Sequence, residues 1–205
     1  MKIIDYGMGN LRSVAKALES LGYLPEITND KDRLRSAKGL ILPGVGAFAD
    51  AMANLAKYDL IEVIQEHVKS GKPFLGICLG MQLLLDVSYE GGSPVKGLGI
   101  FPGEVKELPR EKIKLKVPHM GWNQLHFCKE SRLFKGISEG AFVYFVHSFY
   151  AVPEDKNVLA AVTDYGMDVT AALEQDNIFA TQFHPEKSSE VGLRILKNFG
   201  ELVEG

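Results

Sequence analysis

The spacing of apolar residues changes period repeatedly along the first hundred positions. Lys2–Asp5 is a short apolar run, and Gly7-Met8-Gly9-Asn10 reads as a turn. Leu11, Val14, Ala15, Leu18 and Leu21 then recur at helical spacing until Gly22 stops the pattern. Residues 24–28 predict a second strand, and Leu40-Ile41-Leu42 a third, closed by Pro43-Gly44. Leu60, Ile61, Ile64 and Val68 form one helical face, ended by Gly71. Phe74–Ile77 predicts another strand and Leu79–Val87 a helix. Strands alternating with helices imply a parallel sheet with right-handed crossovers. Such sheets carry their working residues at the carboxyl ends of the strands.

From about residue 88 to 183 helical periodicity fades and Gly/Pro punctuation takes over. Short strands are predicted at Val105–Leu108, Gly121–Phe127, Phe142–Val146, Val158–Val162, Val169–Leu173 and Ile178–Gln182. A final helix is expected over Ser188–Val203, with Ser188 or Ser189 as its cap and Glu190 in its first turn. Lys112, Lys114 and Lys116 alternate with Ile113, Leu115 and Val117, which reads as the wet face of an amphipathic strand. The expected architecture is α/β: an open, mostly parallel sheet flanked by helices, with antiparallel strands added in the second half. Residues 1–205 are expected to form a single domain.

Composition narrows the function classes. The 205 residues are 46% hydrophobic with a net charge of −3. That suits a packed core and gives no electrostatic footprint for nucleic acid. No apolar run approaches the roughly 20 residues of a membrane span, and no signal-peptide h-region is visible, so a cytoplasmic protein is expected. Two cysteines do not make a disulfide scaffold. With no CxxC and no histidine pair at ligand spacing, no metal site or cofactor is expected.

The candidate chemistry starts at Gly76-Ile77-Cys78-Leu79-Gly80. This is the spacing of the G-x-S-x-G nucleophile elbow, with sulfur for oxygen: small neighbours allow a strained strand-to-helix turn to expose the nucleophile. The N-terminus of the following helix favours a thiolate, and the Leu79 N–H would face a developing oxyanion. The motif alone equally permits a small buried cysteine at a strand end. Cys128 lacks such a frame and reads as a structural or surface thiol. Among the five histidines, His67 lies among Lys and Glu and is expected to be solvated. His184 instead follows the strand ending in Phe183. Glu186 lies two residues on, on the same side in extended geometry, with Pro185 stiffening the spacing. Cys78, His184 and Glu186 thus make a nucleophile, a base and an orienter. The turn Pro43-Gly44-Val45-Gly46 offers further oxyanion donors, because glycines bring backbone N–H groups close to a substrate. Gly7-x-Gly9 only superficially suggests a dinucleotide fingerprint, since Arg12 occupies the third glycine position.

Gly76–Gln82 together with Phe183-His184-Pro185-Glu186 resembles the class I, triad-type glutamine amidotransferases. Asp5–Leu11, Pro43–Phe48, Pro118–Asn123 and Tyr144–Tyr150 narrow the likeness to the glutaminase subunits of imidazole glycerol phosphate synthases. The resemblance spans the chain. It implies that Cys78 attacks the side-chain amide of glutamine, with His184 and Glu186 moving protons. It implies that Leu79 and the Val45/Gly46 peptide hold the oxyanion. Gly44, Gln82, Ser148 and Phe149 would contact the glutamine. It implies a heterodimer with a separate (β/α)8 cyclase subunit, with Asn10, Trp122, Tyr144 and Lys187 as contact candidates. Trp122 is equally readable as a core residue. One departure stands out: many class members have a second glycine where Val45 stands. A β-branched residue resists positive φ, so partner-dependent activation of this turn is expected. Class members serving anthranilate, guanylate or pyridoxal phosphate synthesis are the nearest alternative, which the WNQL and YFVHSFY stretches disfavour. A stand-alone cysteine hydrolase is the next.

Overall fold

The computed structural model describes residues 1–205. The first part runs β1 (Lys2–Ile4), α1 (Leu11–Ser20), β2 (Glu26–Thr28), α2 (Lys31–Arg35), β3 (Leu40–Gly44), α3 (Phe48–Lys57), α4 (Leu60–Lys69), β4 (Phe74–Cys78) and α5 (Leu79–Gln82). The second part runs β5 (Leu85–Ser88), β6 (Val95–Lys96), β7 (Phe101–Glu107), α6 (Arg110–Ile113), β8 (His119–Gln124) and β9 (His126–Phe127). It ends with β10 (Phe142–His147), β11 (Phe149–Pro153), β12 (Leu159–Asp164), β13 (Asp168–Gln175), β14 (Ile178–Thr181) and α7 (Ser189–Glu204).

The main sheet has the order β2-β1-β3-β4-β14-β13-β12-β9. Its first five strands are parallel and the rest antiparallel, as the change of pattern in the sequence implies. Alternate residues of the parallel strands feed different cores. Ile4, Leu40, Leu42 and Phe74 join one large cluster, with residues of α3 and α4. Ile3, Ile41, Leu75 and Ile77 join the other, with residues of α1 and α7. This is why these strands read as continuous apolar runs: both faces are covered. The smaller sheets, β11-β7-β5-β6 and β10-β8, stand beside this frame. No helix is long and apolar enough to cross a membrane.

Several expectations need correction. The helix expected over Leu79–Val87 is only one turn, and the chain re-enters a strand at Leu85. Leu83, Leu84 and Leu85 are all fully buried, so no polar face existed to distinguish helix from strand. The segment carrying Lys112, Lys114 and Lys116 is a short helix and a loop rather than a strand, with Lys114 in the left-handed region. His67 is buried and its Nε2 bonds to the Pro73 carbonyl at 3.1 Å, not solvated. The second strand begins at Glu26, leaving Leu24 exposed. Ser188 does not cap α7 through its side chain. Its hydroxyl donates to the His184 carbonyl at 2.7 Å and accepts from the Tyr144 N–H at 3.0 Å.

Candidate active site

Cys78 closes β4 with φ +56° and ψ −111°, a backbone conformation that side-chain-bearing residues avoid. The elbow survives because its neighbours are small. A Cβ on Gly80 would lie 1.8 Å from the Leu42 carbonyl oxygen, and one on Gly76 would lie 2.7 Å from the Gly80 oxygen. Gly44 is equally constrained, since a Cβ there would meet Leu79 Cβ at 2.8 Å. The paired ends of β3 and β4 set Gly44 opposite Cys78. The Pro43–Gly46 turn is therefore wedged directly against the elbow. Val45 stays out of the positive-φ region, and Gly46 takes it at φ +95°. Beneath this turn, the buried Tyr6 hydroxyl donates to the Pro43 carbonyl at 3.0 Å.

His184 follows β14, which pairs in parallel with β4. His184 Nδ1 lies 2.8 Å from Glu186 Oε1, with both side chains almost fully buried. The reason differs from the one expected. Pro185–Lys187 is a turn of 3₁₀ helix rather than an extended segment, so the carboxylate folds back onto the ring. The turn is tied to β10 by the His184 N–H to the Tyr144 carbonyl, 3.0 Å, and by Ser188. Burial opposes charge on His184, but hydrogen bonding and Coulombic attraction from Cys78 and Glu186 outweigh it. The pKa rises to about 9. A protonated ring and a charged Cys78 sulfur therefore favour each other. Nε2 has no hydrogen-bond partner of regular geometry, so the pull from Cys78 is that of a nearby charged sulfur rather than of a neutral thiol.

One cavity of about 430 Å³ gathers Cys78, Leu79, His184, Val45, Gly46, Gln82, Ser148 and Phe149. That size is ordinary for a small-molecule site. Gly44, expected to contact the substrate, is not among its lining residues and sits opposite Cys78 in the β3–β4 register. Gln82 lines the cavity, but its amide nitrogen is already committed, to the Phe149 carbonyl at 2.9 Å and to Gln182 Oε1 at 3.0 Å. Only its oxygen is left for a ligand.

Four lining residues were not among the candidates: Glu90, Pro118, Val146 and His147. Glu90 brings a carboxylate, one oxygen of which accepts from the Phe48 N–H at 2.7 Å; its loop carries no motif that would have singled it out. His147 lies within the YFVHSFY stretch. It packs against His119, with Nδ1 of His119 3.1 Å from Nε2 of His147. Burial pushes both pKa values down, to about 4 for His119 and about 3 for His147.

The candidate contact residues cluster less tightly. Trp122 is 52% exposed, which removes the core reading, and it sits opposite Tyr144 in the β8–β10 register. Met120 and Phe142 are also exposed on this small sheet. Lys187 is exposed at the cavity wall, and Asn10 is half-buried at the start of α1.

The neutral histidine pair has a consequence for stability. An unfolded histidine takes up a proton near pH 6.5, whereas the folded pair resists it, so stability is present above that pH and is lost as pH falls. Between pH 7 and pH 5 His147 alone is expected to cost about 2 kcal/mol, with a nearly equal part from His119. His184 works in the opposite sense. Its raised pKa contributes stability that is complete below about pH 6.5 and fades toward 9. On the acid side it offsets less than about 1 kcal/mol. Urea unfolding at the two pH values should therefore show a net loss at pH 5, and His147→Phe should shrink that difference without abolishing it.

A cysteine on a strained elbow, a buried His–Glu pair and a glycine turn thus meet at one cavity. The family model for class-I glutamine amidotransferases matches residues 2–202, and the chain belongs to that family. Among its relatives, imidazole glycerol phosphate synthase subunit HisH of Moorella thermoacetica is 56% identical over 201 residues, covering 98% of this chain and 94% of the relative. HisH of Aquifex aeolicus is 55% identical over 204 residues, covering 98% and 96%. Among solved structures, a glutamine amidotransferase superposes with a TM-score of 0.75 at 20% identity, covering 100% of this chain and 99% of the other. PurLQS from Thermotoga maritima gives 0.72 at 20% identity, covering 98% of this chain and 96% of the matched one. At those identities the structural likeness speaks for the fold alone.

Proposed function

We propose that this chain is the glutaminase subunit of an imidazole glycerol phosphate synthase. It acts as a single domain and releases ammonia for a separate (β/α)8 cyclase subunit in a cytoplasmic heterodimer. The observation that carries the reading is Cys78 on its strained elbow, sharing a cavity with the buried His184–Glu186 pair. The high identity to HisH subunits supports the choice of partner and of histidine biosynthesis.

In this reading the sulfur of Cys78 attacks the side-chain amide carbon of glutamine. The negative charge formed on oxygen is held by the Leu79 N–H and by the Val45/Gly46 peptide. His184 carries the thiol proton and delivers it to the amide nitrogen, and ammonia leaves. Water then attacks the thioester, His184 accepts its proton, and glutamate departs as the thiol is restored. Glu186 holds Nδ1, so that Nε2 faces the reaction. Gly44 and the backbone at Ser148 and Phe149 position the glutamine, and the free oxygen of Gln82 faces it. Glu90 supplies a carboxylate complementary to its ammonium group. Ammonia passes to the cyclase subunit, which forms imidazole glycerol phosphate and an aminoimidazole carboxamide ribonucleotide. No metal or cofactor takes part. Asn10, Trp122, Tyr144 and Lys187 face the partner, with Trp122 as an anchor suited to a binding hot spot.

The turn at Val45 gates this chemistry. Glutamate release from glutamine is expected to be low for the protein alone. It should rise at least about a hundredfold once the cyclase partner and its nucleotide are added, the scale of a single oxyanion donor. Val45→Gly should raise the partner-free rate. Equal, rapid release with and without the partner would keep the triad chemistry and remove the gate.

A further inference from the structure

Gln182 is fully buried, and its side-chain nitrogen lies 3.7 Å from the Cys78 sulfur. Which end of that amide faces the sulfur is settled by its neighbours. The Phe149 carbonyl can only accept, so the Gln82 group 2.9 Å away is its nitrogen. The second hydrogen of that nitrogen points at Gln182 Oε1, 3.0 Å away. Gln182 must therefore turn its own N–H toward the sulfur.

The Phe149 carbonyl is fixed from its other side by a second forced sequence. Asn123 gives one amide hydrogen to the Asp164 carbonyl, 2.8 Å, and the other to His119 Nε2, 3.3 Å. His119 must then carry its proton on Nδ1 and donate to His147 Nε2, 3.1 Å. His147 in turn donates from Nδ1 to Phe149 O, 2.9 Å. Protonating either ring a second time would set two N–H groups against each other, so the pair is locked neutral. His119 is also stacked between Phe145 and Tyr165, with ring centroids at 4.6 and 3.9 Å.

We propose that Gln182 is a further catalytic residue, donating a hydrogen bond to the Cys78 sulfur, with Gln82 and the Phe149 carbonyl, itself held by His147 and His119, as the parts that aim it. A neutral thiol is a poor acceptor, and a buried amide gains little from it. A charged sulfur makes the bond charge-assisted. The donor therefore favours the sulfur whenever it carries charge: before attack, and again when it leaves the thioester. The inference rests on Cys78 being the nucleophile, but its test does not need glutamine turnover.

The test is the rate of iodoacetamide labelling of Cys78 near neutral pH. It is made in a Cys128→Ser background, because both cysteines are free. Gln182→Met keeps the length of the side chain and removes the donor. It is expected to slow labelling about tenfold, the scale of one charge-assisted bond. With the cyclase partner present, kcat for glutamate release should fall by a similar factor while the glutamine KM stays within about twofold. A Gln182→Met protein that melts normally and labels at the unaltered rate overturns the proposal. If that variant does not fold, Gln82→Met decides: it leaves Gln182 in place but removes the group that turns its amide. Slowed labelling then supports the assignment and unchanged labelling refutes it. Loss of glutamate release with normal labelling in the unsubstituted protein would count against the glutaminase reading and leave this hydrogen bond standing.

Discussion

Cys78→Ala is expected to abolish glutamate release, lowering kcat by at least about 10⁴-fold, the scale of losing the nucleophile of a triad. The substitution keeps a Cβ, so the positive-φ strain at the elbow is unchanged and thermal stability should move little. In the proposed mechanism the loss comes from chemistry alone: without sulfur no thioester forms, and His184 and Glu186 are left with no group to activate. In the complex, turnover supplied with ammonium salt in place of glutamine should persist, because that reaction bypasses this chain. Assaying the same preparation with glutamine and with ammonium separates the two. Failure of both would point to a damaged complex, and survival of both would move the nucleophile elsewhere.

Gly80→Ala is expected to have the largest effect on the elbow itself. The new Cβ would sit 1.8 Å from the Leu42 carbonyl oxygen, a backbone atom of a central strand that cannot rotate away. Either α5 lifts off β3 or the strand end moves. A backbone clash of this kind belongs with overpacking and strain, and a cost above about 3 kcal/mol is expected. Any protein that still folds would hold Cys78 displaced. A misplacement of about 1 Å costs on the order of 10²-fold in rate. Denaturant melts and glutamate release, measured together, check both parts. Near-normal stability would mean that the approach of α5 to β3 is looser than the structure shows.

The local signals for this site were strong because each arises from a backbone requirement. The glycines around Cys78 are there because nothing larger fits against Leu42 and Gly80. The His-Pro-Glu run was legible for the wrong local reason. An extended segment was expected and a 3₁₀ turn is present, yet the two-residue spacing brings ring and carboxylate together in both. Glu90 was not legible, because a carboxylate in a loop looks alike whether it faces water or a cavity. Gln182 read as part of a strand, and its partners lie 100 and 104 positions away. The brief helix after Cys78 was overextended because buried leucines carry no periodic contrast.

Period and punctuation along the chain determined the parallel core, the later antiparallel strands, the elbow at Cys78 and the His184–Glu186 pair. These depend on interactions within a few residues and on glycine and proline geometry. Only the tertiary structure decided that Trp122 is on the surface, that His67 is buried, that Glu90 enters the cavity, and that His119 and His147 hold the backbone at Phe149. Those facts depend on which distant strands pack together. Burial and hydrogen-bond partners are properties of that packing, and no local spacing encodes them.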